Sequence, residues 1–321
     1  MTIKGLSLLI SLFAFTQVSA GSDKCYALVL GGGGPRGAYE AGALLALTEF
    51  VPIDQLKYEI ISGISIGAMN ACFCVGYDQG EEREMALNLA KIWRNIKGSS
   101  EFYTYWFGFL TFRGGIFNTY KLYKFIMENT GDTIRRNIAA AATDYNTGGY
   151  VDFNISVGID ILQKACYASG AYPPFFPPVD VLDEWYGDGA MVANANPFEA
   201  VEECKNKGYN YSDIVIDVIY AVPINGLEDQ KTSRTRDTIE RIDQIYQYFT
   251  NNWYLEVAKR FYKKTDLRYF IIPKVDFGAV NTTPEQINLM INTGYNDTKE
   301  MINMTVEQRE KYINELLNYS N

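Results

Sequence analysis

The chain of 321 residues contains no histidine. That absence excludes every Ser-His-Asp or Cys-His hydrolase and every His-ligated zinc or iron centre. Acid–base chemistry near neutral pH must therefore fall to carboxylates, lysines or tyrosines with displaced pKa values. Basic residues are also scarce: 29 Lys and Arg stand against 38 Asp and Glu, a net charge of −9. Nucleic acid is excluded as a partner, because phosphate neutralisation needs a basic face. Adsorption to an anionic membrane through a polybasic patch is excluded likewise. Neutral and zwitterionic ligands stay open. The five cysteines (Cys25, Cys72, Cys74, Cys166 and Cys204) form no CxxC redox or zinc spacing. Burial as small apolar residues is expected for most of them, and their pairing is left open. No metal site and no cofactor is expected, and catalysis should not need calcium.

What is present is a globular composition, 47% apolar and 14% aromatic, on a chain long enough to bury a sizeable core. Residues 1–20 carry Lys4, an apolar run from Leu6 to Phe15 and the small-residue site Val18-Ser19-Ala20. This pattern predicts a secretory signal peptide cleaved after Ala20, since the run is too short to span a bilayer. Six Asn-x-Ser/Thr sequons, at Asn154, Asn210, Asn281, Asn296, Asn303 and Asn318, fit a glycoprotein on that route. The predicted destination is extracellular or lumenal.

From residue 25 onward apolar runs and amphipathic stretches alternate. Strands are expected at 26–30, 58–62, 138–143, 150–157, 214–222 and 269–272. Helices are expected at 36–50, 66–76, 82–96, 159–169, 197–207, 235–264, 283–291 and 298–317. No repeat or linker interrupts the chain. The expected organisation is one α/β domain over 21–321, with its motifs at 25–222 and a helical C-terminal part at 223–321.

Two glycine motifs lie close together. Gly32-Gly33-Gly34-Pro35-Arg36-Gly37 fits GxGxxG between a strand and a helix, which alone would suit a dinucleotide pyrophosphate. The next strand, however, lacks the closing acidic residue that a ribose requires. It runs into Gly63-Ile64-Ser65-Ile66-Gly67, a GxSxG at a strand-to-helix junction, the setting of a nucleophile elbow. With Ser65 as nucleophile, the amides of Gly32, Gly33 and Gly34, with that of Ile66, become donors for an oxyanion. Arg36 can brace that loop or meet a substrate phosphate. Serine then needs a base other than imidazole, and Gly187-Asp188-Gly189-Ala190 offers a carboxylate between two small residues.

In that order along the chain, GGGGPRG at 31–37, GISIGAMNA at 63–71 and DGA at 188–190 resemble the motifs of patatin-like phospholipases. GGIFNTYKL at 114–122, ATDYNTG at 142–148, ASGAYPPFFPPV at 168–179, NANPFEAVE at 194–202 and NTTPEQINLMINTGY at 281–295 are similar as well. The resemblance spans about 25–295. It implies a three-layer α/β/α fold with a mostly parallel central sheet and extra C-terminal helices. It also implies hydrolysis of fatty acyl esters of phospholipids or other glycerolipids through an acyl-serine, by a Ser-Asp dyad without histidine. On that pattern Ser65 is the nucleophile, Asp188 the base and Gly32–Gly34 the oxyanion loop. Arg36, Gly37, Gly63, Gly67, Gly189 and Ala190 support the motifs. Ala190 replaces the commoner glycine, and Pro35 removes one amide donor. A secreted storage or lipid-binding protein with the same fold and little activity is the other reading.

Two aromatic runs, 102–109 and Phe175-Phe176, suit either an interfacial platform for peripheral membrane or micelle contact or packing under a loop.

Overall fold

A computed structural model describes residues 24–105, 114–224, 259–277 and 282–318, with single positions between 241 and 255. The predicted leader, Trp106–Phe109 of the aromatic run and most of the expected helix at 235–264 lie outside the described residues.

The sheet is assembled from strands β1 (Cys25–Leu30), β2 (Tyr58–Ile64), β5 (Asn137–Asp144), β6 (Tyr150–Asn154), β7 (Val179–Val181), β8 (Glu184–Asp188), β9 (Ile214–Ile219) and β10 (Asp266–Ile271). Short β3 (Thr104–Tyr105) and β4 (Phe117–Asn118) pair separately. The order is β10-β9-β1-β2-β5-β8-β7, with β6 also on β5. Pairings from β10 through β5 are parallel, while β6 and β8 run antiparallel to β5 and β7 antiparallel to β8.

Strand alternation builds two cores. On one face Leu28, Leu30, Ile138 and Ala140 meet α1 (Gly37–Phe50), α2 (Ile66–Phe73), α3 (Glu82–Arg94) and α4 (Tyr120–Asn129). On the other, Ala27, Val29, Ala139 and Ala141 meet α6 (Pro197–Asn206) and the last helix, α8 (Val306–Asn318). Helix α5 (Ile159–Ser169) covers β5, β7 and β8. The result is the expected α/β/α sandwich, whose strands read as near-continuous apolar runs because both faces are covered.

In the C-terminal part the expected strand at 269–272 is found as β10, Asp266–Ile271, and the helices differ in where they break. A break was expected at 292–297, but α7 (Pro284–Asn303) runs unbroken through Gly294. That glycine is a contact point: a Cβ there would collide with the Tyr39 carbonyl of α1, and a Cβ at Gly42 of α1 would collide with Ile291. The actual break falls at Met304-Thr305, where Thr305 and Gln308 exchange side-chain-to-backbone bonds at 3.2 and 2.9 Å and start α8. Strand β6 likewise stops at Asn154, whose side chain accepts the Ser156 amide at 3.1 Å and turns the chain. Cys72, Cys74 and Cys166 are buried as expected, and Cys25 and Cys204 form a disulfide tying β1 to α6.

Candidate active site

Strand β5 is the frame on which the site is built. Its residues Ala139–Ala141 have β2 on one side and β6 on the other, and Ala142 and Thr143 have β8 and β6. β2 and β8 therefore occupy the same lane beside β5 and approach each other end to end. Ile64 pairs with Ala141 and Asp188 with Ala142. Ser65, the next residue of β2, is thereby delivered to Asp188.

The Ser65 hydroxyl donates to Asp188 Oδ2 at 2.7 Å. Ser65 sits at φ 55° and ψ −122°, a conformation that a side chain adopts only under strain. The flanking glycines make that turn possible. A Cβ at Gly63 would collide with the Gly67 carbonyl, and one at Gly67 would lie 2.6 Å from the Leu30 carbonyl oxygen. Ser169 holds the strained backbone: its Oγ accepts the Ser65 N–H at 2.8 Å and donates to the Ala141 carbonyl at 2.5 Å. Helix α2 begins at Ile66, so its first amides and positive dipole end lie at Ser65.

Asp188 is 1% exposed. Its Oδ1 accepts the Ala190 N–H at 2.8 Å, its carbonyl accepts the Thr143 hydroxyl at 2.8 Å, and its own N–H donates to the Ala171 carbonyl at 3.0 Å. One carboxylate oxygen is thus fixed by the backbone while the other faces serine. Gly189 is required because a Cβ there would collide with the Ala141 carbonyl.

The glycine loop lies across from this pair. The Gly32 amide, expected among the oxyanion donors, donates instead to the Asn194 carbonyl at 3.0 Å. Gly32 contributes closeness: a Cβ there would stand 3.2 Å from Ser65 Cβ. Among the described residues, no acceptor is found for the amides of Gly33, Gly34 and Ile66. Arg36 braces the loop. It is 6% exposed, donates to the Gly33 carbonyl at 3.3 Å, and clasps Asp276 Oδ1 at 3.0 and 2.6 Å.

Behind the loop Asn70 of α2 donates to Glu40 Oε2 at 2.7 Å and to the Gly37 carbonyl at 3.1 Å, and accepts Trp93 Nε1 at 3.0 Å. Burial pushes the Glu40 carboxyl well above its usual pKa, against the Asn70 hydrogen bond. This network ties the loop helix to the elbow helix, and Gly37 lies against Ile66 and Trp93 so closely that a Cβ would displace both.

Ser169, Asn194, Thr143 and the Glu40–Asn70–Trp93 tie were not singled out from sequence. Ser169, Asn194 and Thr143 lie inside stretches that carry the family resemblance, which was the available signal. In the aromatic runs, Phe102 packs on Phe125 at 5.1 Å, and Tyr103, Phe117, Phe175 and Phe176 stack on one another. The described aromatics are thus part of a packed cluster.

The family model described as "Patatin-like phospholipase" matches residues 28–201. A lysophospholipase nte1 of Aspergillus terreus is 28% identical over 222 residues, 66% of this chain and 13% of its own length. A lysophospholipase NTE1 of Pyricularia oryzae is 27% identical over 242 residues, 72% of this chain and 14% of its own. This chain therefore matches a small fraction of those much longer proteins. Among solved structures, VipD of Legionella pneumophila aligns with a TM-score of 0.44 at 14% identity, covering 87% of this chain and 67% of that one. Human GIVD cytosolic phospholipase A2, solved with a fluorophosphonate inhibitor, aligns at 0.43 and 10% identity, covering 93% and 60%. With its glycine loop, elbow serine and DGA aspartate in the order and places described, and with the family model covering more than half its length, the chain belongs to the patatin-like phospholipase family.

Proposed function

We propose that the protein is a lipid acyl hydrolase of the phospholipase A type, cleaving fatty acyl esters of phospholipids or other glycerolipids. The observation that carries this reading is the 2.7 Å hydrogen bond from Ser65 Oγ to a buried carboxylate, in a chain without histidine. As Ser65 Oγ attacks the ester carbonyl carbon, its proton passes to Asp188 Oδ2. The Gly33, Gly34 and Ile66 amides receive the oxyanion, at the end of the α2 dipole. On collapse the leaving alkoxide takes the proton from Asp188, and the acyl group stays on Ser65. Water then attacks the acyl-serine, giving its proton to Asp188. The fatty acid leaves, and Ser65 recovers the proton.

The leader pattern expected at 1–20, the Cys25–Cys204 disulfide and the exposed sequon asparagines Asn210, Asn296, Asn303 and Asn318 support a secretory route.

The test is hydrolysis of phosphatidylcholine and of p-nitrophenyl butyrate by the mature protein, beside Ser65→Ala and Asp188→Asn. Each variant is expected to lose about 1,000-fold or more in kcat while keeping its fold. Wild-type rates in both variants would remove the dyad. A wild type inactive on every lipid class would leave the storage or lipid-binding reading.

A further inference from the structure

Hairpin β7–β8 turns at Leu182 and Asp183, which have positive φ values of 56° and 65°. Such two-residue turns favour Asn-Gly or Asp-Gly, because a branched side chain in the left-handed region crowds its own backbone. Leu182 occupies that position with 60% of its surface exposed. Trp185 is 50% exposed, and Tyr145, whose N–H donates to the Trp185 carbonyl at 2.9 Å, is 38% exposed. The hairpin's packing is done by other residues, since Val179, Val181 and Tyr186 face the α5 core.

The position of this tip is fixed by register. β8 runs antiparallel to β5 with Asp188 opposite Ala142 and Tyr186 opposite Asp144. Trp185 and the turn therefore project beyond the sheet edge that carries Ser65. Trp185 is three strand residues, about 10 Å, from Asp188. The hairpin itself carries only acidic charge, and Lys164 of α5 lies in the same surface pocket as Asp180 at its base. Asp180, Asp183 and Glu184 are exposed there, and Lys164 is the one basic residue between Arg136 and Lys205.

We propose that this tip is the surface on which the protein docks to a lipid layer with zwitterionic headgroups. Leu182 and Trp185 enter the interface, as a large aliphatic side chain and an amphipathic indole do at membrane boundaries. The carboxylates beside them meet the outward ammonium groups of such headgroups. An anionic layer would repel them. An ester carbonyl at that surface then lies next to the Ser65 edge. The proposal rests on the reading of Ser65 and Asp188 as a lipid acyl hydrolase site.

The experiment compares wild type, Ser65→Ala and a Leu182→Ser/Trp185→Ser double variant on phosphatidylcholine vesicles, on phosphatidylglycerol vesicles and on monomeric p-nitrophenyl butyrate. Flotation reads binding and product release reads rate. The double variant is expected to lose about tenfold or more in vesicle binding and in rate on phosphatidylcholine vesicles, with an unchanged rate on the monomeric ester. Leu182→Met/Trp185→Phe should restore both, and wild type should bind phosphatidylglycerol vesicles less well than phosphatidylcholine. Equal vesicle binding by wild type and the double variant would overturn the proposal, and so would an equal fall on the monomeric ester. A concentration-dependent dimer lost in the double variant, without vesicle binding by wild type, would assign the tip to a second copy instead. If Ser65→Ala and wild type both float with vesicles but neither hydrolyses any ester, docking stands and the hydrolase reading falls.

Discussion

Ser169 and Ser65 are joined by a 2.8 Å hydrogen bond from the Ser65 backbone N–H to the Ser169 hydroxyl oxygen. That bond holds a residue at φ 55° against its own strain. Ser169→Ala leaves a buried N–H without its acceptor, a loss worth about 1–3 kcal/mol. The expected outcome is a kcat lower by about 10- to 100-fold on a monomeric ester, with KM nearly constant. Steady-state kinetics beside circular dichroism check it. An unchanged kcat would show that the elbow stands without Ser169.

Arg36 offers a way to separate bracing from substrate contact. Its guanidinium holds the Gly33 carbonyl and Asp276, so Arg36→Ala loosens the oxyanion loop for every substrate. Lysine cannot reproduce the paired geometry, so Arg36→Lys should also fall short. The expected loss in kcat is about tenfold, equal on phosphatidylcholine and on p-nitrophenyl butyrate. A loss confined to KM for the phospholipid would place Arg36 on the substrate phosphate instead.

Asp152 makes stability depend on pH in an unusual direction. Burial, then the Glu199 carboxylate, raises its pKa to about 7, although the Asn196 amide donates to it. The fold therefore favours the protonated acid. Its contribution is fully present below the ordinary aspartate pKa and is lost as pH rises through about 7. The effect is on the order of 1.4 kcal/mol for each pH unit between the two pKa values. Between pH 5 and 8 the urea midpoint of wild type should fall relative to that of Asp152→Asn. Parallel curves for the two proteins would contradict it.

The sequons should not be used equally. Asn210 is exposed, with its amide nitrogen in a surface hydrogen bond to the Asp213 side chain at 3.3 Å, whereas the half-buried Asn154 has its nitrogen held by Glu199 at 3.2 Å and its oxygen by Ser156. Expression through a secretory pathway and peptide mapping should find glycan on Asn210 and none on Asn154. The reverse pattern would mean that the β6 turn is open while modification occurs.

Much of the layer architecture was legible because parallel strands covered on both faces leave long apolar runs, as in Ile214–Ile219. The pairing of Ser65 with Asp188 was legible because GxSxG and DGA are local signals, and the structure brings the two side chains to 2.7 Å. Hairpin β7–β8 was not, since its strands have three and five residues and its turn carries Leu182-Asp183 in place of a glycine pair. Gly294 falls within the break expected between 291 and 298. A glycine in a helical pattern reads as a stop, and here it marks where two helix backbones touch. The Gly32 amide was misassigned because the Asn194 carbonyl that captures it comes from a loop 162 residues away.

The shared lane of β2 and β8 gives the site a built-in ruler. Ser65 and Asp188 arrive from opposite directions, and their spacing is measured off two consecutive alanines, Ala141 and Ala142. Helices, outer strands and the C-terminal part can drift in evolution without altering that length. A single residue inserted into β8 just ahead of Asp188 has no such latitude: it would turn the Asp188 side chain to the opposite face, away from the Ser65 hydroxyl.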